Sequence, residues 1–84
     1  MAKDVRIYKH KIDTYINMGN GSQFLSVGLQ DDAPVIWTLE ITSNPIETRK
    51  VGILPTGAKV PDDVGTYLGT YQTSYGFVGH VFFQ

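Results

Sequence analysis

The chain reads as all-β, a small antiparallel sheet of six to seven strands forming a half-open barrel or a sandwich, with at most one short helical turn. Three observations predict this. Apolar residues recur with period two in one segment after another. Clusters of Gly, Pro, Asn and Asp separate those segments. Gly, Pro and β-branched residues interrupt every window that would otherwise support a helix of ordinary length.

Val5 to His10 alternates apolar and polar, and Ile12, Thr14 and Ile16 carry the alternation past Asp13 and Tyr15. Asn17-Met18-Gly19-Asn20-Gly21-Ser22 is a turn cluster, because Gly and Asn accept positive φ at low cost. Phe24 to Gln30 is a second strand, with Leu25, Val27 and Leu29 on one face. Asp31-Asp32-Ala33-Pro34 then connects tightly into Val35 to Thr42. That pair is the clearest hairpin of the chain: β-branched and aromatic residues dominate both arms, and Pro34 sits at the turn without removing a ladder donor. Ser43-Asn44-Pro45 breaks the strand, Ile46 to Leu54 resumes it, and Pro55 ends it. Residues 55–65 form the longest loop, in which Pro61 can open one helical turn with Asp62 and Asp63 near its start before Gly65 stops it. Gly65 to Gln72 and Phe77 to Phe83 make a closing paired-strand unit, alternating Tyr and Gly on one arm and almost wholly apolar on the other.

With 84 residues there is one domain, residues 1–84, and no room for a second core. An apolar fraction of 42% and a charged fraction of 18% belong to a folded globular chain. Cysteine is absent, which removes disulfides and thiolate zinc sites together. The two histidines, His10 and His80, lie far apart in sequence, so no metal is expected. Oligomerisation is then the remaining support for so small a core, and a homo-oligomer is expected. A formal net charge of −1 argues against general nucleic-acid binding, which rests on clustered Lys and Arg. The basic residues are uneven all the same: Lys3, Arg6, Lys9 and Lys11 open the chain, and Arg49, Lys50 and Lys59 follow. Lysines of that kind also guard a solvated strand edge. No run approaches the roughly twenty apolar residues of a membrane span, and the first residues carry no export signal, so a cytosolic protein is expected.

Candidate chemistry is sparse. Thr56-Gly57-Ala58-Lys59 places a Lys beside a Gly loop that can cradle a phosphate, but lacks the spacing and helix of a P-loop and reads first as a turn. Asp62 and Asp63 are adjacent, so on extended chain they point to opposite faces and do not share a ligand easily; Asp31 and Asp32 are read in the same way. His80 sits between Gly79 and Val81 in an apolar strand, as a hydrogen-bonded core residue or as one offered to a ligand. No nucleophile and orienting partner accompany it in a recognisable motif, so no catalytic residue and no cofactor are expected. Tyr67 and Tyr71, four apart on one strand, are expected to share a face with Gly69 leaving a gap between them. Such a face packs against the neighbouring strand, buries in an interface, or stacks a flat ligand.

An ordered set of short motifs runs through most of the chain after residue 23. Its parts are Phe24 to Gln30, Pro34-Val35-Ile36-Trp37, Thr56-Gly57, Pro61-Asp62-Asp63, then Gly65, Tyr67, Gly69, Thr70 and Gln72, and finally His80-Val81-Phe82. In these the chain resembles a family of small uncharacterised proteins from phages and prophages. Members often carry His after the loop glycine, where Ala58 stands here, so any role of that His is absent from this chain. The resemblance implies a virus-encoded protein acting in the cytoplasm of the host bacterium. Small phage proteins outside the structural modules frequently antagonise bacterial defence.

The expectation is therefore a non-enzymatic, homo-oligomeric accessory protein that binds a host defence protein or a nucleotide-derived immune signal. For a signal, the expected surface is Trp37, Tyr67, Tyr71 and His80, with Arg49, Lys50 and Lys59 countering phosphate and Thr56 and Gly57 in the adjoining loop. One alternative is a protein-interaction module or minor virion component with no small ligand, docking through a strand edge. Another is a small hydrolase in which Asp62, Asp63 and His80 converge on a metal.

Overall fold

Seven runs of alternating or β-branched residues become seven strands. The computed structural model describes residues 4–84. In chain order the strands are β1 (Val5–Lys11), β2 (Tyr15–Gly19), β3 (Gln23–Gln30), β4 (Ala33–Ile41), β5 (Ile46–Pro55), β6 (Thr66–Gln72) and β7 (Val78–Phe83). They form two antiparallel sheets, one of three strands in the order β1-β4-β3 and one of four in the order β2-β5-β7-β6. The result is a small sandwich, not a closed barrel.

The alternation in each strand decides which side chains meet between the sheets. β4 sends Ile36, Thr38 and Glu40 inward, and β7 sends Gly79, Val81 and Phe83. Ile16, Met18, Ile36, Val51, Tyr71 and Val81 form the buried centre, with Phe24, Val27, Ile53, Leu68 and Phe83 packed around it. Two contacts draw the sheets together at their margins. A Cβ on Gly69 of β6 would lie 3.2 Å from the Val27 side chain of β3, so the glycine lets these strands approach. At the other margin a Cβ on Gly19 would fall on the carbonyl of Ile41, which seats the end of β2 against the end of β4.

Three local expectations are corrected. The alternation from Val5 to Ile16 is not one strand: the chain leaves the three-stranded sheet after Lys11 and enters the four-stranded one at Tyr15. Period two cannot register that change, because both strands obey it. Second, Asn17-Met18-Gly19 is strand rather than turn, and Met18 is among the most deeply buried side chains. Core packing of Met18 overrides the turn preference of its neighbours. Third, the β3–β4 turn is Asp31-Asp32, both at positive φ (51° and 63°), while Pro34 lies inside β4. Carboxylate side chains tolerate that left-handed conformation better than most. Between Pro61 and Val64, where at most one helical turn is expected, a single hydrogen-bonded turn forms.

Candidate functional site

The three-stranded sheet turns one face to the core and leaves the other to solvent. On the outer face Trp37 pairs across to Lys9 of β1 and Ser26 of β3, and its ring leans over Gly28. The Lys9 Nζ stands 5.9 Å from the centre of the indole, within cation–π range. Beside it a groove of about 310 Å³ is lined by Lys9, Lys11, Gln30, Asp31, Ala33 and Val35. Lys9 donates a hydrogen bond to the Gln30 amide oxygen across this groove. On the other side of Trp37 the register aligns Leu39 with Ile7 and Ile41 with Val5. Ile7 is 66% exposed and Val5 47%, so the outer face carries an apolar stripe in which Val5, Ile7 and Trp37 face water and Leu39 and Ile41 are half-buried.

The four-stranded sheet also has an outer face, and His80 is at its centre. Both ring nitrogens are engaged: Nε2 with the Thr56 hydroxyl at 2.8 Å and Nδ1 with the Thr70 hydroxyl at 2.9 Å. The Thr70 Oγ1 lies 2.6 Å from the Tyr67 phenol oxygen, so a chain of four polar side chains runs across β6, β7 and the turn after β5. Tyr67 in turn packs edge-on against Phe82 at 5.6 Å. His80 is therefore a hydrogen-bonded residue of the solvent face, not of the apolar core.

Tyr67 and Tyr71 do not share a face. The β6–β7 register shifts between Tyr67 and Gly69, so Leu68 is an extra residue that reverses the alternation. Tyr71 points inward against Gly79, where any Cβ would come within 2.5 Å of the phenol ring. Burial pushes the Tyr71 hydroxyl above its ordinary pKa, with the neighbouring Tyr75 adding to the effect. Arg49 also faces inward. Its guanidinium carbon lies 5.2 Å from the Phe24 ring and 5.9 Å from that of Phe83, and its Nε donates to the Gln84 carbonyl at 2.6 Å. Glu47 accepts from its Nη1 at 3.3 Å.

The expected aromatic–basic surface is thus divided. Trp37 lies on one outer face; Thr56, Tyr67 and His80, with Lys50 farther along, lie on the other; Tyr71 and Arg49 lie between the sheets. Gly57 makes a turn at φ 89°, and Lys59 lines a shallow depression with Val60, Pro61 and Asp62. Among the described residues no three of His, Asp and Glu gather to hold a metal, so Asp62, Asp63 and His80 do not converge. No helix among them is long and apolar enough to cross a membrane.

A family pattern described as a domain of unknown function, DUF7352, matches residues 3–84. The chain belongs to that family. No curated protein and no solved structure matches it significantly. The DUF7352 match takes in all seven strands, so both outer faces lie within the family's domain.

Sequence reasoning left out Lys9 and Lys11 as ligand-facing groups, although they carry the one basic cluster that the sheet sets beside Trp37. The signal was their odd-numbered spacing with Val5 and Ile7, which puts all four on the Trp37 face. It also missed a polar trio on the inner face, in which Thr38 and Glu40 are buried and His10 is half-buried. Thr38 donates to Glu40 Oε2 at 2.6 Å, and His10 Nε2 meets the same oxygen. Glu40 looks like a polar-face residue in sequence, but its carboxylate is buried against Thr38 and His10, while the register sets it opposite Arg6.

Proposed function

We propose that this DUF7352 protein is a non-enzymatic, phage-encoded accessory protein that antagonises bacterial anti-phage defence by binding a defence protein. One observation supports a protein partner above other ligands: the stripe of Val5, Ile7, Trp37, Leu39 and Ile41 on a solvent-facing sheet. Contiguous apolar surface rimmed by charges marks interaction sites, and Trp is a favoured anchor there. Lys9, Lys11 and Asp31 form the polar rim at one end. The phage setting comes from the ordered motifs, Thr56-Gly57 through His80-Val81-Phe82, and with it a place in the host cytoplasm.

The test is plaque formation on bacteria carrying individual defence systems, with the protein expressed in trans. Wild type should restore plating against a susceptible system, and Ile7→Asp or Trp37→Ala should lose that effect while keeping the β-sheet circular dichroism. Full activity in both variants removes this surface; no restoration by wild type against any system removes the antagonist role.

A second reading, a nucleotide-derived immune signal, is favoured by the groove beside Trp37, which Lys9 and Lys11 line. The indole would stack a base, and the ammonium groups would meet phosphate. Trp37 is the single tryptophan of the chain, so its fluorescence reports this site directly. Adenosine diphosphate titrated as a probe should quench it saturably in wild type and not in Lys9→Ala/Lys11→Ala; an unquenched wild type removes the reading for adenine nucleotides.

A further inference from the structure

Strand β1 has β4 as its ladder partner on one side and none on the other among the described residues. The pairing also says which of its backbone groups are already used. The Thr42 N–H donates to the Asp4 carbonyl, and the Ile12 N–H donates to the Pro34 carbonyl. In an antiparallel ladder the bonded pairs recur at every second residue. Even-numbered residues of β1 therefore point their N–H and C=O at β4. Val5, Ile7, Lys9 and Lys11 point theirs outward, away from the sheet.

This edge lacks most of the usual guards. It is seven residues long, contains no Pro and shows no bulge against β4. Val5, Ile7 and Tyr8 are all exposed along it. Arg6 and the two lysines are the remaining guard, and the lysines act by register. Only pairings that set odd-numbered residues opposite one another connect the outward groups of two such edges. Centring two antiparallel copies on Lys9 puts Lys9 against Lys9. Centring them on Ile7 leaves Lys11 beyond the paired segment. Centring them on Tyr8 uses all seven residues, with Val5 opposite Lys11, Ile7 opposite Lys9 and Arg6 opposite His10, and no lysine facing a lysine.

We propose that the β1 edge is a homodimer interface, in which a second copy of this chain pairs antiparallel about a two-fold axis through Tyr8. The two three-stranded sheets become one six-stranded sheet. Both apolar stripes then lie on the same side of it, because Val5 and Ile7 of each copy point to the outer face. The pairing rests on backbone geometry and charge, so it holds or fails independently of what the outer face binds. Isologous contacts of this kind close after two copies and leave no further edge at that margin.

The chain has no cysteine, which makes a single introduced thiol a clean reporter of register. Residue 8 would sit opposite itself in a non-hydrogen-bonded pair, where Cβ atoms lie about 4.5 Å apart and a disulfide can close. Tyr8→Cys should oxidise to a covalent dimer with retained fold, and Ile7→Cys and Lys9→Cys should not. Sedimentation equilibrium of the wild type should give twice the chain mass. Ile7→Pro removes an outward N–H and leaves every β4 hydrogen bond in place, so it should sediment as a folded monomer. A monomeric wild type at all concentrations overturns the proposal. So does a dimer whose Tyr8→Cys variant fails to cross-link, or one that cross-links through residue 7 or 9 instead; these readouts stand even if Ile7→Pro misfolds.

Discussion

Arg49 illustrates how one side chain can be read correctly as important and wrongly as to role. In sequence it is a cation beside Lys50, available for phosphate. In the structure it closes the sandwich: Phe24 comes from the three-stranded sheet, Phe83 from the four-stranded sheet, their ring centres are 4.4 Å apart, and the guanidinium lies against both. A planar cation that stacks and donates in fixed directions does this work, and an ammonium does not. Arg49→Ala should lower unfolding free energy by about 1–3 kcal/mol, the scale of a charged hydrogen bond plus a cation–π contact, and Arg49→Lys should recover only part of it in urea titrations. Asp32 acts through a different term. Its carboxylate accepts the Ser74 N–H at 2.8 Å and the Ser74 hydroxyl at 2.7 Å, tying the β3–β4 turn to the turn between β6 and β7. The backbone bond first and the hydroxyl second hold its pKa below the ordinary carboxylate value. Since the folded pKa is depressed, this contribution is present above the unfolded value, about 3.9, and disappears as pH falls through the folded one. Asp32→Asn keeps a side chain that tolerates φ 63° and removes the titration. Its stability, measured by urea unfolding at successive pH values, should fall less steeply than wild type on the acid side of pH 4.

At the scale of single elements, what was legible follows from what determines each feature. The pairing of β3 with β4, β5 and the β6–β7 unit were readable because local alternation agrees there with the fold, except at Leu25, which a register shift between Phe24 and Ser26 takes out of the alternation expected of it with Val27 and Leu29. The passage from β1 to β2 was not, since a change of sheet between Lys11 and Tyr15 leaves the period intact. Nor was the bulge at Leu68, which is set by the pairing of β6 with β7 and decides that Tyr67 faces water while Tyr71 faces the core. Of the expected site, Thr56, Tyr67 and His80 do meet, because the turn after β5 and the neighbouring strands β6 and β7 carry them. Trp37, Tyr71 and Arg49 are separated by pairing that no local pattern encodes. The same pairing logic makes β1 testable residue by residue. Amides of Arg6, Tyr8 and His10 are held by β4, whereas those of Val5, Ile7, Lys9 and Lys11 face outward. Hydrogen exchange resolved to single amides should show alternating protection in dilute solution, and the odd-numbered amides should gain protection as concentration rises. Uniform protection along β1 in dilute solution would contradict the assignment of outward groups.

For the molecule as a whole, the governing quantity is how little it buries. Among the described residues six side chains make the buried centre, and the extents are 46 × 31 × 15 Å, a slab more than a sphere. The fraction of surface buried on folding rises with chain length, so a domain of this length has little stability to spare. There is no disulfide to constrain the unfolded chain. Pairing at β1 supplies stability from outside the monomer, and such stability has a signature that intrachain contacts lack. A partner that binds only the folded state raises the unfolding midpoint with its own concentration, and here the partner is the chain itself. Thermal unfolding of the wild type should therefore shift upward by several degrees between dilute and concentrated samples, an interaction of about 1 kcal/mol being worth roughly 4–8 °C in a domain of this size. Ile7→Pro should unfold at the same temperature at every concentration, matching the dilute limit of the wild type. A concentration-dependent midpoint that survives Ile7→Pro would move the self-association to another surface, of which the Trp37 stripe is the first to examine by Trp37→Ala.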